Sequence, residues 1–194
     1  MKPPDIIEII FKVVKVFEEL GVAYHIGGSL ASSAFGIARA TLDVDIVADI
    51  KLKQLPSFVE SLKEEFYMDA ETICDAIKRH SSFNLIHFET MFKVDVFVLK
   101  NRNFDRQAFL RRIQRPVSES GLLQLFFATP EDIILNKLEW FKRGGEIADR
   151  QWNDVIGVMK VQGAELDTSY LKQWAEGLGI SNLLEKAFND AGIS

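Results

Sequence analysis

The chain has 194 residues, 47% hydrophobic and 26% charged, with a formal net charge of −5. That suits a globular protein able to bury a core, built as one domain with an appendage or as two small domains. Its one cysteine, Cys74, excludes an internal disulfide and a cysteine-cluster zinc site, and its acidic balance disfavours tight nonspecific nucleic-acid binding, which depends on phosphate neutralisation.

No apolar stretch approaches the length of a membrane span, and the opening "MKPPDIIEII" lacks the apolar core of a signal peptide. The expectation is a cytoplasmic protein with no membrane partner. Residues 1–115 carry 16 Lys/Arg and 16 Asp/Glu, whereas residues 116–194 carry 7 and 12 and so account for the whole −5. The run "KNRNFDRQAFLRRIQR", 100–115, is locally basic and reads as a solvated helix face.

Ile6, Ile9, Ile10, Val13, Val14 and Phe17 fall at helical spacing, and Gly21 closes that helix. "VAYHI" reads as a short buried strand ending at Gly27-Gly28. Ser29 is placed to cap a helix, "LASSAFG", that ends at Gly36. "LDVDIVA" is a second strand, and residues 55–66 form a helix. "FNLIHFE" and "FKVDVFV" pair as a hairpin with Thr90-Met91 near its turn. A helix at about 104–113 precedes "RPVSESG", the best linker candidate. "QLFFA" reads as a last strand. Thr129 then caps a helix with Pro130 in its first position, and helices follow at about 131–143, 147–161, 168–177 and 181–190. The expected fold class is α+β: a small mixed-sheet domain over residues 1–115, followed by a helical domain over 116–194.

The chemistry concentrates in two strands and one turn. Asp43 and Asp45 are two apart on a strand, so both leave one face while Val44, Ile46 and Ala48 face the core. "FKVDVFV" repeats the arrangement, with Lys93, Asp95 and Phe97 opposite Val94, Val96 and Val98. If the two strands are neighbours, three carboxylates converge. Like charges that close raise one another's pKa unless a cation keeps them ionised. Oxygen-only ligands favour Mg²⁺ or Mn²⁺. The turn Gly27-Gly28-Ser29 supplies the other half: glycines let the backbone approach a phosphate, and the following helix aims amide N–H groups at an anion. It is neither a Walker loop nor a dinucleotide fingerprint nor a nucleophile elbow.

"IGGSLASSAFGIARATLDVDIV" with the later "KVDVF" resembles the nucleotidyltransferase superfamily of the polymerase-beta-like fold. Within it, the phrase Gly-x-x-Arg-x-Thr-x-Asp-x-Asp, here Gly36 to Asp45, resembles the minimal bacterial branch that includes the AbiEii-type toxins. "TPEDIILNKLEWF" and "ADRQWNDV" are similar to later motifs of that branch. The resemblance covers roughly residues 5–160. It implies a metal-dependent enzyme that moves a nucleoside monophosphate from an NTP to an acceptor hydroxyl and releases pyrophosphate. Asp43 and Asp45 would bind the divalent ions, and Asp95 would complete one site and activate the hydroxyl. Gly27, Gly28 and Ser29 would hold the triphosphate, and Lys137 would neutralise phosphate charge. Arg150 and Asp154 would brace that wall, while Arg39 and Thr41 would touch substrate or orient Asp43. The alternative is a regulatory nucleotide-binding module, toxin-like and held by an antitoxin-like protein partner. The acceptor is open between an RNA end, a protein and a small molecule.

Taken without the resemblance, several of these residues have plainer readings. Lys137 is then a surface lysine, and Arg150 and Asp154 an ion pair four apart on one helix. His25 is a structural histidine, and His80 and His87 lack a second metal ligand. Trp140, Trp152 and Trp174 pack the helical half, and Asp49 caps a helix or turn.

Overall fold

The computed structural model describes residues 6–117 and 123–193. Two compact units emerge, interleaved along the chain: one takes residues up to Ile26 together with Thr41–Phe127, the other takes Gly27–Ala40 and the residues from Ala128 onward.

The first unit holds α1 (Ile6–Glu19) and β1 (Tyr24–Ile26); α2 (Gly28–Phe35) belongs to the second. The first unit continues with β2 (Asp43–Ala48), α3 (Leu55–Leu62), β3 (Phe66–Tyr67), α4 (Ala70–Arg79), β4 (Ser82–His87), β5 (Lys93–Val98), α5 (Asn103–Leu110), β6 (Ile113–Pro116) and β7 (Gln124–Phe127). Its strands form one mixed sheet in the order β3-β4-β5-β2-β1-β7-β6. β2 and β5 run parallel, as do β1 and β7; the other pairs are antiparallel.

Alternation fixes which face of this sheet is dry. Val44, Ile46, Val94, Val96, Phe83 and Leu85 are buried on one face. The helices supply the cover for it: α1 buries Ile9, Ile10, Val13, Val14 and Phe17, and Phe17 stacks on Phe58 of α3 with ring centroids 5.2 Å apart. Phe58 in turn meets Phe83 of β4 edge-on at 6.1 Å. Such ring pairs add to the area they bury.

The hairpin forms as expected, with Met91 in left-handed backbone at its turn and its N–H donating to the His87 carbonyl at 2.9 Å. The helix expected over 55–66 stops at Leu62, and the chain then adds the short edge strand β3. α4 was not expected. Asp69 caps it by accepting from the Thr72 N–H at 2.7 Å, and His80 ends it in left-handed conformation. The helix expected to reach 113 ends at Leu110, because residues 113–116 pair with β7 as the other edge strand. The linker candidate therefore begins inside β6, and its residues 118–121 lie outside those described.

The second unit is helical: α2 with α6 (Pro130–Arg143), α7 (Asp149–Gln162), α8 (Thr168–Leu178) and α9 (Ser181–Ala191). Thr129 caps α6 as expected, its hydroxyl oxygen accepting from the Asp132 N–H at 3.3 Å, with Pro130 in the first turn. Ile134, Leu135, Leu138, Val155, Val158, Leu171 and Ala175 are fully buried. Gly36, just past α2, is where that helix meets α7. A Cβ there would stand 2.8 Å from the Val158 nitrogen and 2.9 Å from the Gly157 carbonyl carbon. Backbone cannot yield as a side chain can, so only glycine fits.

Candidate active site

On the polar face of the sheet, β2 and β5 are immediate neighbours and parallel, with Asp43 opposite Lys93 and Asp45 opposite Asp95. The condition set by the sequence is thus met: the three carboxylates share one face, half-buried, on two adjacent strands. Asn84 of β4 lies opposite Asp95 and extends the polar row. Thr41 orients the first carboxylate, its Oγ1 donating to Asp43 Oδ1 at 2.9 Å and lying 3.0 Å from the Asp43 carbonyl oxygen. Lys93 Nζ is 2.7 Å from Asp95 Oδ2. The bond to Asp95 raises the Lys93 ammonium above the usual lysine range against the cost of burial, and the charges of Asp95, Asp43 and Asp45 add to the rise.

These donors fit a hard divalent cation. All three are carboxylates, with no sulfur or imidazole among them, and one cation, the Lys93 ammonium, already feels all three. As the side chains stand, no group of three or more acidic, histidine or cysteine side chains among the described residues is placed to hold a metal ion. Asp95 is turned to Lys93 instead.

The helical unit carries the second cluster. α2 begins at Gly28, whose φ of +54° favours glycine, and Gly27 is its cap. Ser29 therefore does not cap the helix: it lies within the first turn, and its Oγ accepts from Arg39 Nη2 at 2.6 Å. Arg39 also grips Asp154 with both arms, Nε to Oδ1 at 2.9 Å and Nη2 to Oδ2 at 3.1 Å. Lys137 donates to the same carboxylate at 2.8 Å and to Gln151 Oε1 at 3.0 Å. Lys137 is only 5% exposed, which overturns its reading as a surface lysine. Burial pushes the Asp154 carboxyl up, but the bonds from Arg39 and Lys137 outweigh it and hold the group below the usual carboxylate range.

Arg150 is exposed, and the ion pair expected between it and Asp154 does not form, since Arg39 and Lys137 take both oxygens. Gln151 was not anticipated, although it lies three residues before Asp154 on the same helix. The plainer readings divide. His25 is buried against Phe109 with ring centroids 5.3 Å apart, its Nδ1 has no hydrogen-bond partner, and burial followed by the Arg112 charge pushes its pKa down to about 3. His80 and His87 are held by Leu99 and Thr90. Trp152 packs on Phe141 and Trp174 on Tyr170, but Trp140 is 53% exposed and does not join that core. Asp49 pairs with Lys51 rather than capping a helix. The basic run is not wholly solvated, since the Arg112 guanidinium lies over the Phe109 and Phe126 rings. Among the described helices none is long and apolar enough to cross a membrane.

No protein-family model matches the chain, and no curated protein matches it by sequence. Solved structures do. An antigenic nucleotidyltransferase-like protein from Paracoccidioides brasiliensis is similar with a TM-score of 0.52 and 16% identity, over 90% of this chain and 91% of that one. The structure of ANT(2″)-Ia in complex with adenylyl-2″-tobramycin is similar with a TM-score of 0.54 and 12% identity, over 88% and 97% of the two chains. At such identities the likeness is one of architecture. The mixed sheet with its helices is a nucleotidyltransferase-like fold.

Proposed function

We propose that the chain is a metal-dependent nucleotidyltransferase: it moves an NMP from an NTP to an acceptor hydroxyl and releases pyrophosphate. The observation that carries this reading is the placement of Asp43, Asp45 and Asp95 on one face of the parallel pair β2–β5, within a fold like that of nucleotidyltransferase-like proteins.

The acceptor oxygen forms a bond to the α-phosphorus as the bond from that phosphorus to the bridging oxygen of pyrophosphate breaks. Asp43, held by Thr41, and Asp45 would hold the cations, and Asp95 would complete one of those sites and take the proton of the hydroxyl. When bound, Mg²⁺ or Mn²⁺ would supply positive charge to offset the negative charge developing at the reacting phosphate. Gly27, Gly28 and Ser29 offer backbone and hydroxyl groups to the triphosphate. Arg39 and Lys137 supply positive charge, positioned by Asp154, and Arg150 is an exposed contact. Of the two domains expected over 1–115 and 116–194, the first carries the carboxylates and the second Lys137, Arg150 and Asp154, although β7 (Gln124–Phe127) lies in the sheet and α2 with the helices.

The closer resemblance to the AbiEii-toxin-like branch belongs to this proposal, as do an antitoxin-like partner and a cytoplasmic location. ANT(2″)-Ia is solved in complex with adenylyl-2″-tobramycin, so the small-molecule acceptors to try beside RNA ends and proteins include hydroxyl-bearing antibiotics. The test incubates the full chain with each α-labelled NTP and Mg²⁺ against those three acceptor classes. Label should pass to one class with release of pyrophosphate, and Asp45→Asn should stop it. Tight NTP binding without turnover on any acceptor would favour the regulatory module instead.

A further inference from the structure

Lys93 is not needed to hold a cation, yet it lies among the groups that would. It is the cross-strand partner of Asp43, and Asp95, two residues on, leaves the same face of β5. Cross-strand partners stand about 5 Å apart and diagonal neighbours about 7–8 Å, so a lysine stem reaches every corner of the square formed by residues 43, 45, 93 and 95. Its Nζ is bonded to Asp95 Oδ2 at 2.7 Å, with the Lys93 side chain 42% and the Asp95 side chain 19% exposed. The ammonium can therefore swing out into water without unpacking the core. An ammonium and a divalent cation on one carboxylate repel each other, so they exclude one another there.

The geometry points to Lys93 as a tethered counter-cation of the carboxylates: it holds Asp95 in the metal-free protein, and a divalent ion must displace it to bind. This rests on the proposed metal-binding reading of the trio. Two consequences follow from the exchange. Metal affinity is set below what three free carboxylates would give. The metal-free protein is spared the repulsion that three uncompensated carboxylates would generate.

The test measures Mn²⁺ binding to the full chain by calorimetry at 0.15 M salt without nucleotide, and thermal unfolding in EDTA. Lys93→Met should bind Mn²⁺ about tenfold more tightly than the wild type, the scale of a neighbouring charge lost, and should melt earlier in EDTA. Lys93→Gln should behave alike and serves if the methionine variant folds poorly. Lys93→Arg should not tighten binding. Lys53→Met, which removes an exposed lysine elsewhere in the same unit, should change affinity by less than about twofold at this salt. In an Asp95→Asn background, Lys93→Met should no longer lower the melting temperature. Unchanged or weaker Mn²⁺ binding by both Lys93→Met and Lys93→Gln overturns the inference, as does an equal melting loss in the Asp95→Asn background. Mn²⁺ binding by the wild type that Asp43→Asn abolishes upholds the metal site whatever Lys93 does. Failure of both wild type and Lys93→Met to bind Mn²⁺ overturns both readings.

Discussion

Asp45 and Asp95 stand directly opposite one another on the parallel strands β2 and β5. Two carboxylates in that relation oppose folding unless a cation lies between or beside them. Asp43→Asn and Asp45→Asn should therefore each lower nucleotidyl transfer by at least about 100-fold, while raising the melting temperature in EDTA. Asp95→Asn should lose transfer equally but gain no stability, because it also removes the partner of Lys93. Transfer assays beside thermal melts read both effects. Three destabilised variants with transfer intact would make the carboxylates structural.

Asp154 is the shared acceptor of two cations, and breaking a buried charge cluster costs more than the cluster contributes. Asp154→Ala leaves Lys137 buried beside a neutral gap and should destabilise by about 3–5 kcal/mol in urea unfolding. Lys137→Met alone should cost less, since Arg39 still grips the carboxylate with two bonds. The double variant Lys137→Met/Asp154→Leu should be far more stable than the sum of its parts. Additive losses would mean that the two charges do not depend on each other.

Gly36→Ala places a methyl group against backbone of α7 and against the Ser32 carbonyl oxygen, 2.9 Å away. Overpacking of this kind costs about 1–3 kcal/mol, and relief requires α2 and α7 to separate. The variant should lose that much in denaturant titration. Gly21→Ala is the control: nothing lies within 4 Å of its Cβ, so the loss there should reflect only its φ of +64°.

His25 gives a pH dependence with a defined sign. Its pKa is about 3 in the folded protein against 6.5 for an ordinary histidine, so between those values the unfolded chain binds the extra proton and the folded one does not. Stability from this residue is complete above pH 6.5 and falls as pH drops toward 3, at up to about 1.4 kcal/mol per pH unit. His25→Phe should flatten the pH–stability curve between 6 and 4 relative to the wild type. An unchanged slope in urea titrations across that range would show that His25 charges freely in the fold.

The strands that hold the carboxylates were legible because alternation writes their two faces into the sequence: Val44, Ile46, Val94 and Val96 go inside, so Asp43, Asp45 and Asp95 must go out. α4 escaped notice although Asp69 caps it and Ile73, Ala76 and Ile77 mark one face, because that apolar stripe is only a few residues wide among charges. β3 and β6 have two and four residues, too few for a period to declare itself, and their neighbours define them. The sequence puts Asp154 on one wall with Lys137 and Arg150; of the two, Lys137 bonds it and Arg150 does not. Helical spacing offers Arg150, while the other partner of Asp154, Arg39, is 115 positions away in the chain.

That separation has a consequence for how the protein is made. α2 and the segment to Ala40 belong with helices that begin only after Ala128. At ribosomal speeds of about 5–20 residues per second, the intervening stretch takes roughly 4–18 s to synthesise. During that interval Ala31 and Phe35, buried in the finished protein, have no helical partner to cover them. The sheet unit can close around β1, β2 and β5 as the nascent chain emerges; α2 must wait for α6 and α7. Until those helices emerge, α2 is the exposed apolar segment that a holding chaperone, or a misfolding neighbour, would meet.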